Sequence, residues 1–537
     1  MMKETIKQII EEVLKKMNLT EIVPFTVEIP VTKDHGNYST NVALVLSKTL
    51  KENPLKIAEK IILEIKDENI KKIEIKSPGF INFFVNKDYL IDNIKNILDN
   101  EKNYGKSDIG KNTKISVEFV SANPTGLLHV GTSRGAAYGD NLSRILSFCG
   151  FDVTREYYIN DAGVQIENLG RSLFLRYKEL CGIKEELPEE GYHGREIIDL
   201  AKELYEEHKD KLLKETVTYF SEYATNKLLA IIKKDLEKFR ITFDLWTSEK
   251  EIRVSGKIEE CLEVLKKEGN IYESDGATWL RSTKYNDDKD RVLIKSDGNY
   301  TYLVPDIANH LGKINRGNEI IIDVLGADHH GYINRLKASI EALGFNSEKI
   351  RIKILQMVKL LRNGDEVKMS KRTGETVTMN ELVEEIGVNA ARYFLASRSL
   401  DTQMDFDIEL AKKKSNENPV YYVSYAYARI CTILKDNDHD YYIKEYKFLN
   451  NEEVYKVLEK IYLFPEIVED AALKETPHII TNYVMELANL FHTFYEKYRI
   501  ITNDDEKTRE NINLIKAVKT TLENALNLVG IIPPEAM

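Results

Sequence analysis

The sequence predicts an α/β protein organised around a parallel sheet, with a small α/β unit before it and an all-helical unit after it. Three observations predict this. Two strand–helix–strand patterns, one within 114–159 and one within 320–355, require parallel strands joined by crossover helices. Residues 1–90 carry their own mixture of helical and alternating patterns, and from about 408 onward the only periodicity is helical. A chain of 537 residues is also too long for one hydrophobic core.

Residues 1–18 read as a helix with Ile6, Ile9, Ile10, Val13 and Leu14 on one face. Asn37-Tyr38-Ser39-Thr40-Asn41 is expected to open a second helix. Ile73-Glu74-Ile75 and Phe80 to Val85, on either side of Pro78-Gly79, read as two strands about a turn. This first domain is bounded at 1–90, and the charged stretch Asp99–Thr113 reads as a linker. The second domain, 113–407, starts with the strand Lys114–Val120, a Gly/Pro-containing loop to Gly131, a helix over about 133–148 stopped by Gly150, and a strand from Phe151 to Ile159. Its second half holds the strand Ile320–Leu325, a helix over 331–343 and the strand Ile350–Leu355. The highly charged, mostly helical sequence of about 165–300 is read as an insertion between these halves. Residues 415–537 form the helical third domain, with repeats such as Leu487/Leu490/Phe491/Phe494.

Composition excludes several classes. Hydrophobic residues at 42% and charged residues at 30% describe a globular chain, and no apolar run approaches the roughly 20 residues that span a bilayer. Cys149, Cys181, Cys261 and Cys431 are far apart and form no Cys-x-x-Cys pair, so reduced thiols and no metal site are expected. A net charge of −11 speaks against a protein coated with nucleic acid but allows a local basic groove.

Two segments carry chemistry. The loop Ser121-Ala122-Asn123-Pro124-Thr125-Gly126-Leu127-Leu128-His129-Val130-Gly131-Thr132 lies between a strand and a helix, where backbone N–H groups and the helix dipole favour an anion. His129 can donate to a phosphate, and Gly131 keeps a side chain out of a nucleotide's path. Alone, His-x-Gly-x is more often a loop histidine packed on a turn. The second segment is Lys368-Met369-Ser370-Lys371-Arg372, whose lysines can neutralise a departing pyrophosphate. Three cations in five residues are otherwise a solvated turn. The two motifs together, one after the first strand and one after the last, are far more specific than either.

With both motifs in hand, the chain resembles the class I aminoacyl-tRNA synthetases and, more narrowly, the arginyl-tRNA synthetase family. The segment 121–126, Asn160-Asp161-Ala162-Gly163, Tyr302-Leu303-Val304-Pro305-Asp306-Ile307-Ala308 and Gly326-Ala327-Asp328-His329-His330-Gly331 are all similar to that family. So are Gly36 to Asn41 and Pro78 to Phe83 in the first domain and Asn418 to Arg429 in the third. Two positions depart: Thr132 stands where a second histidine is usual, and Arg372 where a serine is. Thr132 can still donate one hydrogen bond, and as a bland alternative it caps the helix.

The resemblance implies a Rossmann-like catalytic domain that binds ATP, with Mg2+, through Pro124, Gly126, His129, Gly131, Thr132, Lys368, Met369, Ser370 and Lys371. His129, Gly131, Thr132, Lys368 and Lys371 are its catalytic set. It implies an L-arginine pocket of Glu118, Ser121, Asn123, Tyr302, Asp306 and His329, with Glu118 and Asp306 facing the guanidinium. Glu118 also reads as an outward strand residue, Tyr302 as a packing aromatic and Asp306 as a helix N-cap. The partner implied is tRNA(Arg), contacted by Asn37, Tyr38, Asn82, Tyr421, Tyr425 and Arg429. A cytoplasmic monomer that needs bound tRNA to activate arginine is the family expectation. A glutamate enzyme would want basic residues where this chain has Glu118 and Asp306, and a cysteine enzyme would want zinc ligands. A non-catalytic RNA-binding relative would have lost His129 or the lysine pair, and both are present.

Overall fold

The computed structural model describes residues 2–19, 24–30, 32–367, 377–437 and 443–537, without the side chains of 33 and 328–330. The first unit opens with α1 (Met2–Lys16), which buries Ile6, Ile10, Val13 and Leu14. β1 (Val27–Glu28) and β2 (Tyr38–Thr40) precede α2 (Val42–Leu50) and α3 (Pro54–Glu64). β3 (Ile70–Lys76) and β4 (Phe80–Val85) complete an antiparallel sheet in the order β1-β2-β4-β3. Residues 38–40 therefore do not open a helix. Tyr38 pairs with Phe83 and Thr40 with Ile81, both side chains point into the core, and the helix begins only at Val42. Nor is 99–113 a loose linker. α4 (Lys87–Asn100) runs to Asn100, and the buried Tyr104 donates its hydroxyl to the Ile461 carbonyl at 2.7 Å.

β5 (Lys114–Glu118) is followed by α5 (Val130–Phe148) and β6 (Asp152–Ile159). Gly139 lets α5 lie against the strand end, since a Cβ there would sit 2.2 Å from the Phe119 ring. α6 (Val164–Leu180), α7 (Arg195–His208) and α8 (Val217–Lys238) pack around Leu173, Leu204 and Phe220 as a separate small core. The chain then rejoins the sheet through β7 (Leu245–Ser248), parallel to β6. This interrupts the single insertion expected over 165–300. Four residues of mixed polarity between charged helices give too short an alternation to be read as a strand. α9 (Glu249–Val254), α10 (Lys257–Lys267) and an antiparallel sheet of β8 (Ile271–Ser274), β9 (Ala277–Leu280) and β10 (Arg291–Ile294) come next. α11 (Leu303–Asn315) leads into β11 (Ile320–Gly326), and α12 (Ile333–Ala342) into β12 (Ile350–Leu355).

The five parallel strands stand in the order β12-β11-β5-β6-β7. The chain works outward from β5 to β7, then crosses back to β11 and on to β12. Its direction reverses between β5 and β11, and the carboxyl ends of those strands bound a crevice. β13 (Val358–Arg362) and β14 (Asp365–Glu366) form a hairpin, and after α13 (Met379–Ile386) and α14 (Val388–Ala396) a third strand, β15 (Met404–Asp407), pairs with β13. α15 (Ile408–Lys412) closes the domain. α16 (Pro419–Lys435), α17 (Glu452–Tyr462), α18 (Phe464–Leu473), α19 (His478–Lys497) and α20 (Asp505–Leu528) form the helical unit. One apolar core runs continuously through the first unit, the sheet and these helices.

Candidate active site

The crevice holds a cavity of about 390 Å³ lined by Val120, His129, Gly131, Thr132, Gly326 and Met357 among others. α5 begins earlier than the sequence pattern suggested, at Val130, with His129 rather than Thr132 as its N-cap. The His129 Nδ1 accepts the Thr132 backbone N–H at 3.4 Å, and Thr132 Oγ1 accepts the His129 N–H at 3.0 Å. With Nδ1 accepting, the neutral ring carries its proton on Nε2, so that nitrogen is the donor. The Thr132 hydroxyl donates to the His129 carbonyl at 2.7 Å, so here it braces the helix start instead of pointing at a ligand. A Cβ on Gly131 would come within 3.0 Å of the His129 ring, which makes room for the imidazole the glycine's first task. Pro124 and Gly126 do not line this cavity. A side chain at Gly126 would meet Glu196 of α7 instead.

Lys368, Met369, Ser370 and Lys371 lie outside the described residues, but both flanks of their segment are placed. Val367 N–H donates to the Leu360 carbonyl at 2.9 Å. On the far side, Val130 N–H donates to the Val377 carbonyl at 3.2 Å, and Thr378 bridges to His129. The chain therefore leaves the β13–β14 hairpin and rejoins the fold beside His129. Arg134 fastens the opposite wall of the cavity. Almost fully buried, it donates to the carbonyls of Gln356, Ser399 and Thr402 at 2.9, 2.7 and 2.8 Å. Sequence reading passed over it, although a lone arginine on an otherwise small-residue helix face was a usable signal.

On the other side of β5 the acids converge. β5 ends at Glu118, and Val120 and Ser121 take left-handed conformations (φ 67° and 37°) that fold the loop back over it. Ser121 Oγ donates to Glu118 Oε1 at 3.0 Å and accepts the Tyr158 N–H at 3.0 Å, so Ser121 links strands rather than presenting itself to a substrate. Glu118 is buried, and its Oε2 accepts Lys313 Nζ at 2.6 Å. That internal cation already engages the carboxylate that the resemblance turns toward the guanidinium. Asn123 is held by both amide atoms, accepting from Asn160 at 2.7 Å and donating to Gln165.

Asp306 differs. It lies in the first turn of α11, whose N-cap position is Tyr302, so it is not the cap. Its carboxylate accepts the Tyr332 hydroxyl, and among the described side chains no cation contacts it. Burial pushes its carboxyl up to about 6. The Tyr158 hydroxyl nearby is buried without a hydrogen-bond partner among the described residues, and burial followed by the charges of Asp306 and Glu249 pushes it up. Glu249, which sequence reading left inside the insertion, is delivered here by the carboxyl end of β7 and pairs with Arg253 at 2.6 Å. Tyr302 is 66% exposed, so its ring stands in solvent. The His329 side chain is outside the described residues. Among those residues no group of three or more His, Cys, Asp or Glu side chains is placed to hold a metal ion.

The residues read as tRNA contacts divide. Tyr421 and Tyr425 stack on α16 with ring centres 6.2 Å apart, and the Arg429 guanidinium lies 4.4 Å from the rings of both Tyr425 and Tyr495. All three are partly exposed. Asn37, Tyr38 and Asn82 are buried, which removes them from any RNA surface. Asn37 donates to Glu459 and Tyr38 donates to Glu466 at 2.8 Å, both on the helical unit, while Asn82 accepts Ser39 Oγ at 2.7 Å. The polar motif of the first unit is thus a seam between the two ends of the chain.

Comparison with known proteins agrees with this architecture. Residues 4–85 match the family described as "Arginyl tRNA synthetase N terminal domain". Residues 93–416 match "tRNA synthetases class I (R), catalytic domain", and 423–537 match "DALR anticodon binding domain". The chain is 49% identical to arginine–tRNA ligase 1 of Halalkalibacterium halodurans, over 100% of this chain and 99% of that one. It is 47% identical to the arginine–tRNA ligase of Bacillus subtilis over the same shares. The structure of Thermus thermophilus arginyl-tRNA synthetase superposes with a TM-score of 0.80 at 20% identity over 100% of both chains, a likeness of fold. The sheet order, the His129 helix start and this full-length similarity together settle the assignment: the chain belongs to the arginyl-tRNA synthetase family of class I aminoacyl-tRNA synthetases.

Proposed function

We infer that this chain is an arginine–tRNA ligase, which activates L-arginine with ATP to arginyl-adenylate and transfers the arginyl group to the 3′ end of tRNA(Arg). The observation that supports it best is Asp306: a carboxylate pushed up to about 6 by burial, with a hydroxyl but no described cation on it. A planar cation is the ligand such a site favours. In this reading the arginine carboxylate attacks the α-phosphate, and pyrophosphate leaves. His129 Nε2–H and the N-terminal end of α5 meet the charge that develops on the phosphate, and Lys368 and Lys371 meet the departing phosphates. Mg2+ would accompany ATP and neutralise phosphate charge; among the described residues no group of three or more His, Cys, Asp or Glu side chains is placed to hold it. A terminal ribose hydroxyl of the tRNA then attacks the activated carbonyl, the acyl–phosphate bond breaks and AMP leaves with the hydroxyl proton lost to it or to water.

Tyr421, Tyr425 and Arg429 serve as stacking surfaces for unpaired anticodon bases. The enzyme works in the cytoplasm as a monomer; no helix among the described residues is long and apolar enough to cross a membrane. ATP–pyrophosphate exchange measured with each of the common amino acids, with and without tRNA, tests the assignment. Arginine alone should support exchange, and equal exchange with glutamate or cysteine would refute it.

A further inference from the structure

Residues 119–129 join β5 to α5 and carry His129, yet they hold little structure of their own. Apart from the bridge at His129 they form neither helix nor strand. They close two backbone hydrogen bonds internally, Ser121 N–H to the Phe119 carbonyl at 2.9 Å and Thr125 N–H to the Asn123 carbonyl at 2.7 Å. A segment with so few bonds takes its shape from what it rests on. Its near end rests on β6, where the Tyr157 hydroxyl donates to the Ala122 carbonyl at 2.8 Å. Its far end rests on the residues that follow the lysine segment: Met379 N–H donates to the Leu128 carbonyl at 2.7 Å and Val130 N–H to the Val377 carbonyl at 3.2 Å.

Between these ends, over 123–127, the support is the bundle of α6, α7 and α8. Asn123 donates to Gln165 in the first turn of α6. Thr125 and Tyr192, just before α7, are hydrogen-bonding neighbours. A Cβ on Gly126 would stand 3.4 Å from Glu196 Oε1 in the first turn of α7. Leu127 packs against the bundle's own core, which includes Leu169, Leu173, Ile197 and Phe220. Its neighbours Leu128 and Val130 are buried instead in the core of the sheet. The chain thus passes from one core to another within four residues, and His129 stands at the crossing. α11, which carries Asp306, packs in a third core with Leu303, Ile307 and Leu311.

We propose that the bundle is a brace for the nucleotide loop, with Leu127 the positioning residue through which it fixes the place of the His129 imidazole and of the helix start at Gly131. The proposal rests on the ATP-dependent reading above and extends it to side chains outside the cavity. With Leu127 seated in one core and Leu128 and Val130 in the other, the backbone on both sides of His129 is fixed. Without Leu127, residues 123–127 are left to partly exposed polar contacts, which compete with water. Because Asp306 belongs to a different core, the loss should fall on ATP and spare arginine.

The test is arginine-dependent ATP–pyrophosphate exchange with tRNA present, alongside melting temperature, for three variants. Leu127→Ala empties the seat, Leu127→Met refills it, and Leu204→Ala cuts the same core toward the other end of α7. Leu127→Ala should lower kcat/KM for ATP about tenfold or more with the arginine KM within about threefold. Leu127→Met should recover to within about twofold of the parent. Leu204→Ala should lose at least as much melting temperature as Leu127→Ala with its ATP constants within about twofold. Should Leu127→Ala fail to fold, Leu127→Val carries the same comparison with an expected loss of about threefold. An ATP kcat/KM at the parent's level in the shortened variant, no recovery with methionine, or an equal ATP loss in Leu204→Ala overturns the proposal while the parent still exchanges with arginine. An unaltered enzyme that shows no exchange with arginine would instead strike the functional reading, and this proposal with it.

Discussion

Replacing Asp306 by asparagine should weaken arginine use severely and yet make the free protein more stable. The carboxyl ordinarily titrates at 3.8 and is pushed up to about 6 by burial. Each pH unit corresponds to 1.36 kcal/mol, so holding Asp306 ionised at neutral pH costs the folded protein about 3 kcal/mol. A bound guanidinium relieves that cost and adds charge-assisted hydrogen bonds. Asparagine keeps an acceptor for the Tyr332 hydroxyl, but it leaves the guanidinium without a counter-ion. Breaking a buried pair in this way costs about 3–5 kcal/mol, which predicts a fall of about 10²–10³ or more in kcat/KM for arginine. Pyrophosphate exchange at varied arginine gives that number, and the ATP KM at saturating arginine serves as the control. Thermal melting gives the other half. A folded-state value raised above the unfolded one makes ionisation destabilising, so the asparagine variant's advantage should open between about pH 4 and 6 and hold constant above. A variant that keeps kcat/KM within about threefold, or that melts below the parent at pH 8, would refute the reasoning.

Three further outcomes follow from the same geometry. Arg134→Gln orphans the carbonyls of Gln356, Ser399 and Thr402; denaturant titration should show a loss of about 3–5 kcal/mol, and in any folded fraction the ATP KM should rise more than the arginine KM. Thr132→Ala removes the reciprocal bonds to His129 and should cost about 1 kcal/mol by thermal melting, with kcat reduced through a less fixed imidazole. Glu466, pushed up to about 7 by burial beneath Tyr38, contributes stability that is full below about pH 4.5 and is lost as pH rises to about 7; Glu466→Gln should flatten the melting temperature between about pH 4.5 and 7.

The parts of the fold that were legible are those whose signal is local. The β5–α5–β6 unit announces itself through a strand buried beyond its first residue, a glycine-bearing loop and a helix rich in small and apolar residues, all within 46 residues of Lys114 to Ile159. β7 was missed because a four-residue strand buries too little to leave a pattern, and with it went Glu249, which that strand delivers. The motif at 36–41 misled for the opposite reason. Polar residues at a loop-like turn look available to a ligand, yet Asn37 and Tyr38 are engaged by glutamates 422 and 428 residues away, and no local pattern encodes such a partner.

The same separation of scales governs the site. His129 and Gly131 could be picked out because their chemistry follows from spacing, a histidine and a glycine at a strand-to-helix turn, whereas Asp306 came from resemblance to the family's pocket. Whether an acid is available to a substrate depends on a different quantity, the charge that tertiary contacts have already placed on it. Glu118 and Asp306 read alike in the sequence, but Lys313 reaches Glu118 from 195 residues away, while among the described side chains nothing cationic contacts Asp306. The hint was present in α11, where Asp306, Asn309, His310 and Lys313 make a polar stripe on a helix that otherwise buries Leu303, Val304, Ile307 and Leu311. Four polar groups on the inward face of an apolar helix must find partners or remain costly. That stripe therefore implies an internal charge network before any contact is known, and with it a reason to ask which of the acids around it has been left for the ligand.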